Sequence, residues 1–220
     1  MSRPRPAAHE HPAFARAYLR VAEVADARGT GEHRRRLVAG LSGTVLEVGV
    51  GPGGSFRHYP REVAGVVALE PEPTLRQHAL HAVGTASVPV GVVAGTAEQP
   101  PLAPGSVDAV VYSLVLCSVP DQRTALEVAF STLRPGGDLV AYEHVRSRRR
   151  LLGLLEDAVT PVWARFTGGC HPNRDTVAAV RDAGFDVDEV ERFRFSPARG
   201  VPATEHVIIR ARRPAPNPPA

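Results

Sequence analysis

The chain has 220 residues, 43% of them hydrophobic and 22% charged, with a formal net charge of +3. That length and balance suit one well-buried globular core and exclude a disordered chain or a disulfide-dense miniprotein. Its 26 basic residues are all arginine, which excludes lysine Schiff-base chemistry and any phosphate loop built on Gly-Lys-Ser/Thr.

Residues 1–12, MSRPRPAAHEHP, are polar and proline-rich with no apolar core of a leader peptide, and they are expected to be a disordered end. The tail 213–220 has the same character, leaving 13–212 as the folded domain. Within it, short Val-rich runs at Thr44–Val48, Val63–Leu69, Val88–Val93, Val107–Ser113 and Asp138–Glu143 read as buried parallel strands. Helical stretches alternate with them. Pro73–His81 carries proline in its first turn, and Gln122–Leu133 has Asp121 as its cap and Pro135-Gly136-Gly137 beyond its end. This alternation predicts an α/β fold with a parallel, doubly wound sheet. Ligands of such sheets bind beyond the strand C-termini, here just after Val48, Leu69, Val93, Ser113 and Glu143.

The first of these edges carries Leu46-Glu47-Val48-Gly49-Val50-Gly51-Pro52-Gly53-Gly54, which follows the first strand and is expected to lead into a helical segment. Glycines there let the backbone turn sharply and approach a ligand closely. Gly49, Gly51 and Gly54 satisfy the dinucleotide pattern GxGxxG, while Gly49, Gly51 and Gly53 satisfy the GxGxG pattern of S-adenosylmethionine (SAM) sites. Glu70, ending the second strand just before Pro71, can accept ribose hydroxyls in either case. Three features favour SAM. Glu47 is an acid inside an otherwise apolar strand, where methyltransferases commonly carry one. Gly95-Thr96-Ala97-Glu98-Gln99-Pro100 is similar to the methyltransferase loop that borders the adenine, with Thr96 where an acid is usual. Leu133-Arg134-Pro135-Gly136-Gly137 is a frequent methyltransferase turn. Pro71, after Glu70, and Ser113 and Leu114, at the fourth strand end, complete the expected cofactor contacts.

Val110–Val119 (VVYSLVLCSV), Tyr142-Glu143-His144-Val145, Phe56–Pro60 and Pro161-Val162-Trp163 resemble the methyltransferase-like family that includes alkyl thiol S-methyltransferases. The likeness runs over roughly residues 13–210 and implies a Rossmann-like class I fold with a seven-stranded, mostly parallel sheet. It also implies methyl transfer to a small acceptor, a thiol in that family. Animal members carry an N-terminal hydrophobic anchoring stretch, which this sequence lacks. Phosphatidylethanolamine N-methylation, C- or O-methylation of quinones and other small molecules, and SAM binding without catalysis are the competing readings.

His144 leaves the fifth strand at the expected catalytic rim, where it could take or steer a proton or serve as a structural histidine. Cys117 reads as a small packed thiol. Cys170-His171 lacks a CxxC partner, so no metal site is expected. Two cysteines make no disulfide framework, and a reducing cytoplasm fits them. Scattered arginines without interleaved aromatics argue against a nucleic-acid partner. Arg146–Arg150 followed by Leu151-Leu152-Gly153-Leu154-Leu155 reads as a cover over the acceptor pocket or as an interfacial helix touching membranes through 146–155. The oligomeric state leaves no mark in the sequence.

Overall fold

The computed structural model describes residues 12–215. Seven strands form one sheet in the order β3-β2-β1-β4-β5-β7-β6. They are β1 Gly43–Val48, β2 Val63–Leu69, β3 Val90–Val93, β4 Val107–Ser113, β5 Leu133–His144, β6 Asp186–Phe195 and β7 Thr204–Arg212. The first five are parallel, and β7 enters antiparallel between β5 and β6. The fold is the doubly wound, mostly parallel one expected.

Successive residues of a strand point to opposite faces, and here both faces are buried. Leu46, Val48, Val110 and Tyr112 face a core shared with Leu126 and Ala129 of α4 (Gln122–Thr132) and Val177 and Val180 of α6 (Thr176–Asp182). Val45, Ala109, Val111 and Val140 face the other core, with Leu37 and Val38 of α2 (Gly31–Val38) and Ala79 of α3 (Pro73–Ala82). Two-sided burial is why these strands read as continuous apolar runs.

Local signals placed most boundaries. Asp121 caps α4 by accepting from the Thr124 N–H, and Pro73 opens α3. β3 begins at Val90, two residues later than expected, because Pro89 has no N–H for the ladder. β5 begins at Leu133 and takes in the Pro-Gly-Gly turn, whose Gly136 N–H donates to the Arg213 carbonyl at 2.8 Å. Of the two ends expected to be disordered, 1–11 and 216–220 lie outside the described residues. Pro12 opens α1 (Pro12–Ala25), and Arg213 donates to the Phe130 and Leu133 carbonyls. One expectation changes: the glycine loop leads into a single 3₁₀ turn, Phe56–His58, and not a full helix. Pro60 disfavours helical backbone at Tyr59, which is extended at ψ 129°.

Candidate active site

The parallel strands place their C-termini along one edge, and chain order reverses between β1 and β4. The crevice therefore opens beside the glycine loop. Gly49, Gly51 and Gly53 have φ of 65°, 55° and 86°, a left-handed region costly for residues with a Cβ. At Gly49 a Cβ would also lie 2.7 Å from Val115 Cγ2, so the loops after β1 and β4 are in close contact there.

Two buried acids hold this loop. Glu70 accepts from the Gly51 N–H at 2.7 Å and from the Glu72 N–H at 3.0 Å. Burial raises its carboxyl above the ordinary range, and the two amides pull the other way. Each oxygen keeps a lone pair for a ribose hydroxyl. Glu47 accepts from the Tyr59 hydroxyl at 2.9 Å. Burial raises its carboxyl too, opposed by hydrogen bonds from Ser55 and Tyr59 and by nearby Arg34. Glu47 thus ties the far end of the glycine loop back to β1. The Pro71 carbonyl accepts from Arg76 at 3.0 Å, fixing the turn after β2.

Thr96 and Gln99 close a tight loop after β3, with Ala97 buried inside it. Two polar atoms on this rim, Glu98 Oε1 and Ser113 Oγ, are buried without a hydrogen-bond partner among the described residues. Native proteins answer such groups with a ligand or water. Together with the glycine cradle, they fit an adenosyl cofactor. Leu114, next to Ser113, has φ 62°, a strained conformation for a non-glycine residue. Its N–H donates to the Tyr142 carbonyl at 2.7 Å.

The loop after β4 is gripped by Glu143, which is fully buried on β5. Its carboxylate accepts from three consecutive amides: Val115 and Leu116 at 2.8 Å each, and Cys117 at 3.1 Å. Burial pushes this carboxyl up to about 7, while the three amides favour its charged form. Next to it, His144 Nδ1 lies 3.7 Å from both Cys117 Sγ and Cys170 Sγ. Its hydrogen bond with Cys117 draws the Cys170 thiol down, against burial and with help from His144 and Trp163. His206 packs its ring 4.4 Å from that of His144, and burial pushes it down to about 3, so it is neutral.

His144 also borders a cavity of about 150 Å³. Tyr18, Val21, Ala22 and Ala25 of α1 roof it, and Leu114, Tyr142, Phe195 and His206 complete most of the wall. Tyr18 reaches the glycine loop, 3.5 Å from where a Gly51 Cβ would sit. The cavity therefore adjoins the cofactor cradle. No residue of 146–155 lines it; the cover is α1.

Residues 46–141 match the family described as a methyltransferase domain. The chain is 32% identical over 180 residues to thiol S-methyltransferase TMT1B of Homo sapiens, covering 79% of this chain and 73% of that protein. It is 33% identical over 153 residues to human thiol S-methyltransferase TMT1A, covering 67% and 62%. The chain belongs to the methyltransferase-like family of the thiol S-methyltransferases. Geranyl diphosphate methyltransferase, solved in complex with SAM, superposes with a TM-score of 0.67 at 19% identity, covering 96% of this chain and 93% of that one.

The protein is thus a class I SAM-dependent methyltransferase, and SAM is its cofactor. When bound, SAM supplies a methyl group activated on a sulfonium. The 3₁₀ turn also argues against the rival dinucleotide reading, in which the pyrophosphate sits at the N-terminus of a helix after the glycine loop. In this methyltransferase the Gly49–Gly53 loop and Glu70 meet through the Gly51 N–H, and Thr96–Glu98 and Ser113–Leu114 lie at the C-terminal ends of β3 and β4 on either side of them. The sequence reading did not find α1 as the roof, the grip of Glu143, or the approach of Cys170 to His144. Only Glu143 left a signal, as an acid inside an apolar strand just like Glu47.

Replacing Glu70 with alanine is expected to weaken SAM binding by roughly 1–3 kcal/mol, since carboxylate–hydroxyl bonds are charge-assisted. Calorimetry on the purified protein measures it, and unchanged affinity would remove Glu70 from the cofactor site.

Proposed function

We propose that this methyltransferase transfers the methyl group of SAM to the sulfur of a small, apolar thiol. The carrying observation is the cavity of about 150 Å³, walled mainly by apolar side chains, next to the glycine loop and bordered by His144. The names of its curated relatives, which specify thiol S-methylation, support the same acceptor. Because the methyl group arrives activated, the protein's main work is to hold the sulfur in line behind it. A thiol of pKa about 8.5 is partly ionised at neutral pH, which eases that work. Catalytic participation falls to His144, the ionisable group at the cavity wall nearest the β5 rim. Assaying SAM-dependent turnover of alkyl thiols, phenols, quinols and phosphatidylethanolamine, with product masses, tests this. A quinol or phospholipid methylated where no thiol is would overturn the acceptor and leave the methyltransferase intact.

A second observation bears on where the acceptor is met. Helix α5 (Arg150–Phe166) is turned inside out. Leu151, Leu154, Leu155, Val159, Val162, Trp163 and Phe166 recur at helical spacing on one stripe, yet all are exposed, Leu151 at 82% and Phe166 at 74%. The polar side faces the protein instead, with Asp157 paired to Arg146 at 2.8 Å and Glu156 accepting from the Ser147 N–H at 2.7 Å. An apolar stripe flanked by Arg148, Arg149 and Arg150 is the composition of an interfacial helix, and we assign α5 to peripheral contact with anionic lipid. No helix of the described residues is long and apolar enough to cross a membrane. The neighbouring thiols of Cys117 and Cys170 suit the cytoplasmic, reducing side of such a surface.

Converting Leu151, Leu155 and Phe166 to glutamate together should abolish co-sedimentation with phosphatidylserine vesicles. Turnover of a water-soluble thiol should persist, because the three side chains are exposed and their loss should cost little stability, within about ±0.5 kcal/mol each. Retained vesicle binding would refute this role for α5.

A further inference from the structure

Cys117, His144 and Cys170 come from the loop after β4, the end of β5 and the segment after α5. Their donor atoms form a nearly equilateral triangle. Sγ to Sγ is 3.6 Å, and each sulfur is 3.7 Å from His144 Nδ1. A tetrahedral zinc ion, with Zn–S of about 2.3 Å and Zn–N of about 2.0–2.1 Å, separates its ligand atoms by about 3.5–3.8 Å. The triangle already has the dimensions of three corners of that tetrahedron.

We propose that Cys117, His144 and Cys170 bind one Zn²⁺, with the fourth position left to the acceptor sulfur. Two thiolates and an imidazole suit zinc and reject magnesium or calcium. Three protein ligands with one open position is the pattern of catalytic zinc, whereas structural sites close all four. The surroundings hold the ligands in place, as outer groups do around metals. Glu143 binds the Cys117 amide, the Cys117 carbonyl accepts from the His171 N–H at 2.7 Å, and Ser118 Oγ lies 3.5 Å from Cys117 Sγ. Both thiols are buried, and His144 borders the cavity.

The inference rests on the acceptor being a thiol and adds how that thiol is ionised. Zinc binding releases the two cysteine protons to solvent. The acceptor S–H likewise loses its proton to solvent as its sulfur takes the fourth position. Its sulfur then forms the new bond to the methyl carbon while the sulfonium C–S bond breaks. The products are a neutral thioether, a weaker ligand than a thiolate, and the demethylated cofactor.

Metal analysis of the full chain purified without chelators should find about one zinc per chain. Cys117→Ser and Cys170→Ser should each weaken zinc binding by more than about 100-fold, beyond the cost of losing an outer group. SAM affinity measured on the same samples reports that they are folded. Cobalt put in place of zinc should show thiolate charge-transfer absorption, and its visible bands should change when the acceptor thiol is added. Zinc titration without micromolar binding, or equal zinc in the cysteine variants, would overturn the site. So would a Cys117–Cys170 disulfide in the freshly isolated protein. Zinc bound without thiol turnover would leave the metal site standing and sink the acceptor reading. Full-rate thiol methylation by metal-free protein would do the reverse.

Discussion

Replacing Glu143 with alanine is expected to cost on the order of 3–5 kcal/mol, because two buried amides and a half-buried one lose their acceptor at about 1–3 kcal/mol each and water entering the gap recovers part. A domain of this size has about 5–15 kcal/mol in total, so the variant should be marginal at physiological temperature. Denaturant unfolding checks it. Glutamine at the same position separates hydrogen bonding from charge. Oε1 serves both Val115 and Leu116, and Oε2 serves only Cys117. One amide oxygen can therefore keep two of the three bonds, while the NH₂ group faces the Cys117 N–H. Glu143→Gln should lose about 1–3 kcal/mol, the cost of one unsatisfied donor. Equal stability of alanine, glutamine and parent proteins would show that the loop after β4 holds itself.

The other large effect is expected at Gly49. Alanine there meets two penalties, a left-handed φ of 65° and a Cβ 2.7 Å from Val115 Cγ2. The first costs about 1–2 kcal/mol. The second forces apart the loops after β1 and β4, which flank the expected cofactor cradle. Misplaced binding groups at this scale cost about 10²-fold in rate, and SAM affinity should fall with it. Combining Gly49→Ala with Val115→Ala relieves the contact and leaves the backbone strain, so the double variant should recover part of the affinity. Full SAM binding by the single variant would mean the loop moves freely.

The sequence was informative wherever a structure depends on neighbours along the chain. The ranges Val63–Leu69 and Val107–Ser113 match β2 and β4 residue for residue, because continuous Val-rich runs are buried on both faces. The Asp121 cap, the proline opening of α3 and the left-handed glycines of the cofactor loop are equally local. The short turn after that loop was legible in principle through Tyr59-Pro60, but the glycine pattern suggested a helix and outweighed it. The segment 146–155 showed its amphipathic character and not its orientation. Only packing reveals that Glu156 and Asp157 face inward and leave the leucines outside.

The sequence by itself determined the parallel α/β sheet, the SAM-type glycine loop with Glu70 opposite, and the position of His144 at the rim. Each follows from residues within one strand–loop–helix unit, where backbone propensity and hydrophobic period act over a few residues. The tertiary structure alone decided that α1 roofs the cavity, that Glu143 grips the loop after β4, and that Cys170 lies 3.6 Å from Cys117 across 53 positions. Those contacts depend on strand order and on where the chain returns after α5. Such distances are set by the packing of the whole sheet, and spacing along the chain carries no measure of them.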